Sequence, residues 1–130
     1  MKAVDTNILA RLLMVDDKAQ AFAAMQLVKA GVYIPLTVFL ETAWLLRSRY
    51  RLTRLETVES LRVLLELPDV IIEARDGVIW AVNRFEARGD FADFVHLVAS
   101  MQADAFLTFD RALAPAAGSD VPIKVETVIA

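Results

Sequence analysis

Lys2-Ala-Val-Asp-Thr-Asn-Ile-Leu-Ala-Arg-Leu-Leu-Met14 decides how the chain is read. Lys2–Val4 reads as a short strand, and it runs straight into a helix over Thr6–Met14, with Asp5 at the junction. The same alternation repeats downstream. Asp16-Asp17 open a second helix, acidic where the positive end of its dipole lies, and Gly31 closes it. Val32–Ile34 before Pro35 is a second strand, followed by helices over Thr37–Arg49 and Leu55–Leu67. Val70–Ile72 is a third strand. Gly77–Arg88 is helical with Gly89 as its stop, and a further helix carries Phe91, Phe94, Val95 and Val98. Ala105–Thr108, Arg111–Leu113 and Ile123–Val125 are expected as a strand, a short helix and a fifth strand. Strands alternating with helices specify an α/β fold with a mostly parallel sheet. In such sheets, sites form beyond the carboxyl ends of the strands.

The bulk numbers narrow the chemistry. A chain of 130 residues suits one domain spanning its whole length. Hydrophobic residues make up 57% of it, enough to fill a core and leave apolar surface for a partner. The longest apolar stretches are broken by Thr37, Glu41 or Arg47, well short of the ~20 residues that span a bilayer. Asp5 and Arg11 interrupt the only N-terminal apolar run, so no leader peptide is expected and the chain is read as cytoplasmic. Cysteine is absent and His96 is the one histidine. Thiolate nucleophiles, disulfides and sites built from several histidines are thereby excluded. A metal, if present, must be a hard ion held by oxygen, which means Mg²⁺ or Mn²⁺. The formal charge of −3 looks unfavourable for nucleic acid, but setting four site carboxylates aside leaves +1.

Four acids stand out by position. Asp5 and Asp110 each follow a strand, and acids at neighbouring strand ends would share one crevice. Glu41 lies among Val38, Trp44 and Leu45, where a charge on an apolar helix face is costly unless paired or bound to metal. Asp93 sits in the first turn of the helix after Gly89. Each has a plainer reading. Asp5 and Asp110 could be N-caps, Glu41 could pair with Arg47, and Asp93 could serve the helix dipole. Asp90 is expected as the N-cap of that helix. Taken together, the four call for a cation, because clustered carboxylates repel unless one is present. Mg²⁺ joins one or two carboxylates and completes its shell with water and phosphate oxygens. That chemistry suits phosphodiester hydrolysis, with metal activating water and stabilising the leaving oxygen.

Ala3-Val-Asp-Thr-Asn-Ile-Leu9, Leu40-Glu-Thr-Ala-Trp-Leu-Leu46, Gly89-Asp-Phe-Ala-Asp-Phe-Val-His96 and Phe106-Leu-Thr-Phe-Asp-Arg-Ala-Leu113 resemble the PIN-domain nucleases, VapC-like toxins in particular. The resemblance implies a three-layer α/β/α sandwich around a parallel sheet of four to five short strands. It implies a metal-dependent endoribonuclease, the toxin of a toxin–antitoxin pair, with Asp5, Glu41 and Asp93 as metal-site acids and Asp110 as the fourth, more variable one. Asn7 and Thr108 match polar positions that orient carboxylates or water. Homodimerisation and inhibition by a cognate antitoxin are further implications. The chain departs at Phe94, where a small residue commonly follows the third acid. Altered packing is expected there, with the site retained.

Other features are weighed against these. Asp93, His96 and Ser100 share a helix face, but a mid-helix serine lacks the exposed elbow and oxyanion hole of a nucleophile. Arg47, Arg49, Arg51 and Arg54 are a solvated helix end or a contact to RNA phosphates, with Tyr50 stacking on a base. Trp44 and Trp80 are read as core. The first helix, apolar on nearly every side, offers a face for a second copy or an antitoxin helix. An aspartyl phosphatase would want Asp-x-Asp, and position 7 is Asn7. No glycine loop cradles phosphates, which excludes a P-loop enzyme. The alternatives kept are a PIN-type RNA-processing nuclease outside toxin systems and a catalytically silent protein-binding module.

Overall fold

A computed structural model describes all residues, Met1–Ala130. The chain forms two compact units, Met1–Arg75 and Asp76–Ala130, and no helix is long and apolar enough to cross a membrane.

In the first unit, β1 (Lys2–Ala3), β2 (Val32–Ile34) and β3 (Val70–Ile72) form a parallel sheet in the order β1-β2-β3. Lys2 pairs with Val32, and Val32 in turn with Val70. Helices α1 (Thr6–Met14), α2 (Lys18–Lys29), α3 (Leu36–Ser48) and α4 (Arg54–Glu66) complete the unit, and α1 packs against α2 and α3. Their starts follow from local chemistry. The Asp17 carboxylate accepts the Gln20 N–H at the head of α2. Thr53 and Glu56 form a full capping box on α4. Pro35 cannot cap α3 with a side chain, and the Glu73 carboxylate instead accepts the Leu36 N–H at 2.8 Å. Glu73 follows directly on β3, so the sheet itself fixes where α3 begins. Leu9, Ile34, Phe39, Leu46, Val58, Leu61 and Leu64 are fully buried and form the core.

Helix α1 ends at Val15 in a left-handed conformation, φ 51°. A β-branched residue is strained there, whereas glycine is not. Val15→Gly is expected to raise stability by about 0.5–1 kcal/mol, read as a higher urea midpoint with unchanged slope.

In the second unit, β4 (Phe106–Thr108) pairs in parallel with β5 (Val125–Thr127), and α5 (Arg75–Ala87, its first residue still in the first unit), α6 (Phe91–Ala99) and α7 (Leu113–Ala117) supply the helices. Two substitutions of nothing for a methyl let these elements approach. Gly77 leaves space for the Val98 side chain, and Gly89, at φ +90°, leaves space for the Phe94 ring. Phe94 is fully buried and stands edge-on to Trp80, centroids 5.7 Å apart. The departure from the family pattern at this position is therefore accommodated by packing. The Arg84 guanidinium donates to the Ala116 carbonyl through Nε and Nη2, at 3.0 and 2.7 Å, and anchors α7 to α5.

Several expectations need correction. All strands are parallel and the class is α/β, but the strands divide into sheets of three and two. The expected helix at Arg111–Leu113 lies instead at Leu113–Ala117, because the Asp110 carboxylate holds the Ala112 N–H at 2.9 Å in a turn that delays it. The last strand is Val125–Thr127, two residues beyond the expected Ile123–Val125. Ile123 is buried but lies outside the strand ladder.

Candidate metal and phosphodiester site

The first unit presents two of the four acids. Asp5 follows β1 and is the N-cap of α1, its Oδ1 accepting the Ile8 N–H at 3.2 Å. A carboxylate offers about four acceptor positions, so this bond leaves Asp5 free to meet a cation. Glu41 projects from α3 and accepts a short hydrogen bond from the Thr6 hydroxyl. Thr6 is buried and adjacent to Asp5, so one hydroxyl ties Glu41 to the residue after the first acid. Sequence reasoning named Asn7 for such a role and missed Thr6. Asn7 is exposed at the head of α1. Thr6 opens α1 directly after the Asp5 cap and is buried, and its polarity there carries no periodicity signal. Glu41 is itself exposed, so its face of α3 is solvated, contrary to the expected apolar setting.

The second unit presents the other two. Asp90 caps α6 through the Ala92 N–H at 3.0 Å, as expected. Asp93, in the first turn, is partly buried. Burial pushes its carboxyl above the usual range, the charges of Asp90 and Asp110 push it further, and His96 pulls it back. The Thr108 hydroxyl accepts the Asp110 N–H at 3.0 Å, shaping the turn that carries Asp110 beyond β4. Asp110 and His96 are exposed. The Ser100 hydroxyl donates to the His96 carbonyl at 2.7 Å, consistent with its dismissal as a nucleophile.

The donors offered by these residues are all carboxylate and hydroxyl oxygens, which suits a hard divalent ion. Within each unit the acids are brought into relation, Glu41 to the Asp5–Thr6 junction and Asp93 to Asp90 and Asp110. No group of three or more acidic or histidine side chains is gathered closely enough to hold a metal.

The upward displacement of Asp93 has a stability consequence. A carboxyl raised in the folded state costs stability when ionised, in full above its folded value, and the cost fades as pH falls from that value to the lower unfolded one. Loss of charge also forfeits a favourable helix-dipole interaction, but the direction of the shift says that burial and repulsion win. In EDTA at neutral pH, Asp93→Asn is therefore expected to melt above the wild type, with the gap closing as pH is lowered. Equal melting temperatures across that range would contradict this.

Around the basic cluster, Tyr50 is held by residues of and just after the first helix. The Tyr50 hydroxyl donates to Asp16 Oδ2 at 3.0 Å and accepts from Arg11 at 3.4 Å. Arg11 also meets Asp16 at 2.9 Å and Gln20 at 2.7 Å. Arg11 holds the Asp16 carboxyl below its ordinary value, and burial raises the Tyr50 phenol. Tyr50 is thus tethered through its hydroxyl, and its ring is half-buried. Arg47 donates to the Leu52 carbonyl at 3.2 Å, and Arg49 and Arg51 are exposed. Trp44, read from sequence as core, is 64% exposed.

Compared with known families, the PIN domain matches residues 2–118. Among curated proteins, none matches the chain.

Proposed function

The chain belongs to the PIN-domain family, a nuclease-type fold, and on that premise we propose that it is a metal-dependent endoribonuclease using Asp5, Glu41, Asp93 and Asp110 as its metal-holding acids. All four lie within the matched residues. One observation carries the reading furthest. Asp93 sits partly buried on α6 near Asp90 and Asp110; burial first, and then the two like charges, raise its carboxyl, and a bound cation would offset both.

Bound Mg²⁺ or Mn²⁺ would supply the positive field that makes water nucleophilic and stabilises the leaving oxygen. The chain's own residues orient the acids. Thr6 holds one oxygen of Glu41, the α1 cap fixes Asp5, and Thr108 shapes the turn that aims Asp110. The exposed Arg49 and Arg51, with Arg47, provide cations for RNA phosphates. The likeness to VapC-like toxins extends the proposal to a homodimer restrained by a cognate antitoxin. Purified protein mixed with a heterogeneous RNA pool should produce cuts in Mg²⁺ or Mn²⁺ and none in EDTA. Cuts that persist unchanged in EDTA would refute the metal dependence.

A further inference from the structure

We propose that Trp44 is a stacking platform for a base of single-stranded RNA beside the cleavage site, a role that rests on the nuclease reading above. Trp44 follows Glu41 by three residues on α3. That spacing places the two on neighbouring rows of one face, about 4.5 Å apart along the axis. A stacked strand rises ~3.4 Å per nucleotide, so a base on the indole would lie within one or two nucleotides of a phosphate at Glu41.

The indole is 64% exposed, an unusual disposition for so large an apolar side chain. The other tryptophan is engaged, edge-on to Phe94 and with its Nε1 donating to Asp120 at 3.3 Å. Tyr50, the other aromatic near the arginines, is tied to Asp16 and Arg11. The surroundings favour RNA over a protein partner. One turn from Trp44 on α3, Glu41, Arg47 and Ser48 are exposed and polar, and Leu40, half-buried, is the one apolar neighbour, so the ring is bordered along its own helix mainly by polar side chains. Beyond it the helix runs into Arg47, Arg49, Arg51 and Arg54. An exposed ring followed by cations is how single strands are held without base-specific hydrogen bonds.

The test compares Trp44→Ala and Trp44→Phe in the Asp5→Asn background, by anisotropy of a labelled, mixed-sequence single-stranded RNA. Cleavage by wild type and by the single Trp44 variants is followed in parallel. Stacking of one base predicts an affinity loss of about 5- to 100-fold for alanine, near-recovery by phenylalanine, and a rise in KM larger than any fall in kcat. Unchanged affinity and KM in Trp44→Ala, with wild type still cutting RNA, would overturn the platform and leave the nuclease reading standing. A wild type that neither cuts nor binds RNA would overturn the nuclease reading, and the platform with it. A loss that accompanies a changed sedimentation coefficient would assign Trp44 to a protein contact and overturn the platform too.

Discussion

Asp5→Asn is expected to fold as stably as the wild type and to cut RNA at least about 100-fold more slowly, the scale seen when one preorganised electrostatic group is lost from a catalytic site. The substitution separates two roles that sequence leaves entangled. Asparagine caps a helix as well as aspartate does, so the bond from the Ile8 N–H survives while the charge is removed. Asp5→Ala loses both and should also cost about 1 kcal/mol of stability, since α1 packs on α2 and α3. Urea denaturation beside single-turnover cleavage distinguishes them. If Asp5→Asn cut at the wild-type rate, Asp5 would be a cap and nothing more.

The second large effect is structural. Gly89→Ala places a methyl within 3.0 Å of the Phe94 ring and near the Ala116 methyl, and forces alanine to φ +90°. Overpacking and backbone strain together should cost about 2–5 kcal/mol, a large part of the 5–15 kcal/mol typical of a domain. Phe94→Ala, opening a cavity beside Trp80, should cost about 3–5 kcal/mol. The two sites are in contact, so their effects should not add. Gly89→Ala combined with Phe94→Leu is expected to recover the steric part of the loss and not the backbone part. A Gly89→Ala protein melting within a degree of the wild type would contradict the packing described.

Much of this was legible beforehand because the chain is well punctuated. Gly31, Pro35, Gly89 and the capping residues Asp17 and Asp90 mark element ends by local chemistry that tertiary context does not override. The division into two sheets was not legible, since strands of two or three residues carry no pairing information. The displaced α7 and β5 show the same limit. Asp110 contributes a side-chain turn, and Ile123 is apolar for burial outside the ladder. Trp44 was misread for a different reason. A helix apolar on several sides does not announce which side meets solvent, and α3 buries Phe39, Ala43 and Leu46 while exposing Trp44. Of the site, the four acids were visible through their positions at element ends and through the family likeness. Thr6 was not, because its role depends on Glu41, thirty-five residues away.

Mn²⁺ binding, measured by electron paramagnetic resonance on wild type, Asp5→Asn and Asp93→Asn with RNA cleavage followed in the same preparations, tests the metal site most directly. The wild type is expected to bind Mn²⁺ and cut, and both variants to lose ion and cleavage together. Variants that keep wild-type cleavage, or a wild type that neither binds Mn²⁺ nor cuts RNA in its presence, would contradict the proposed site.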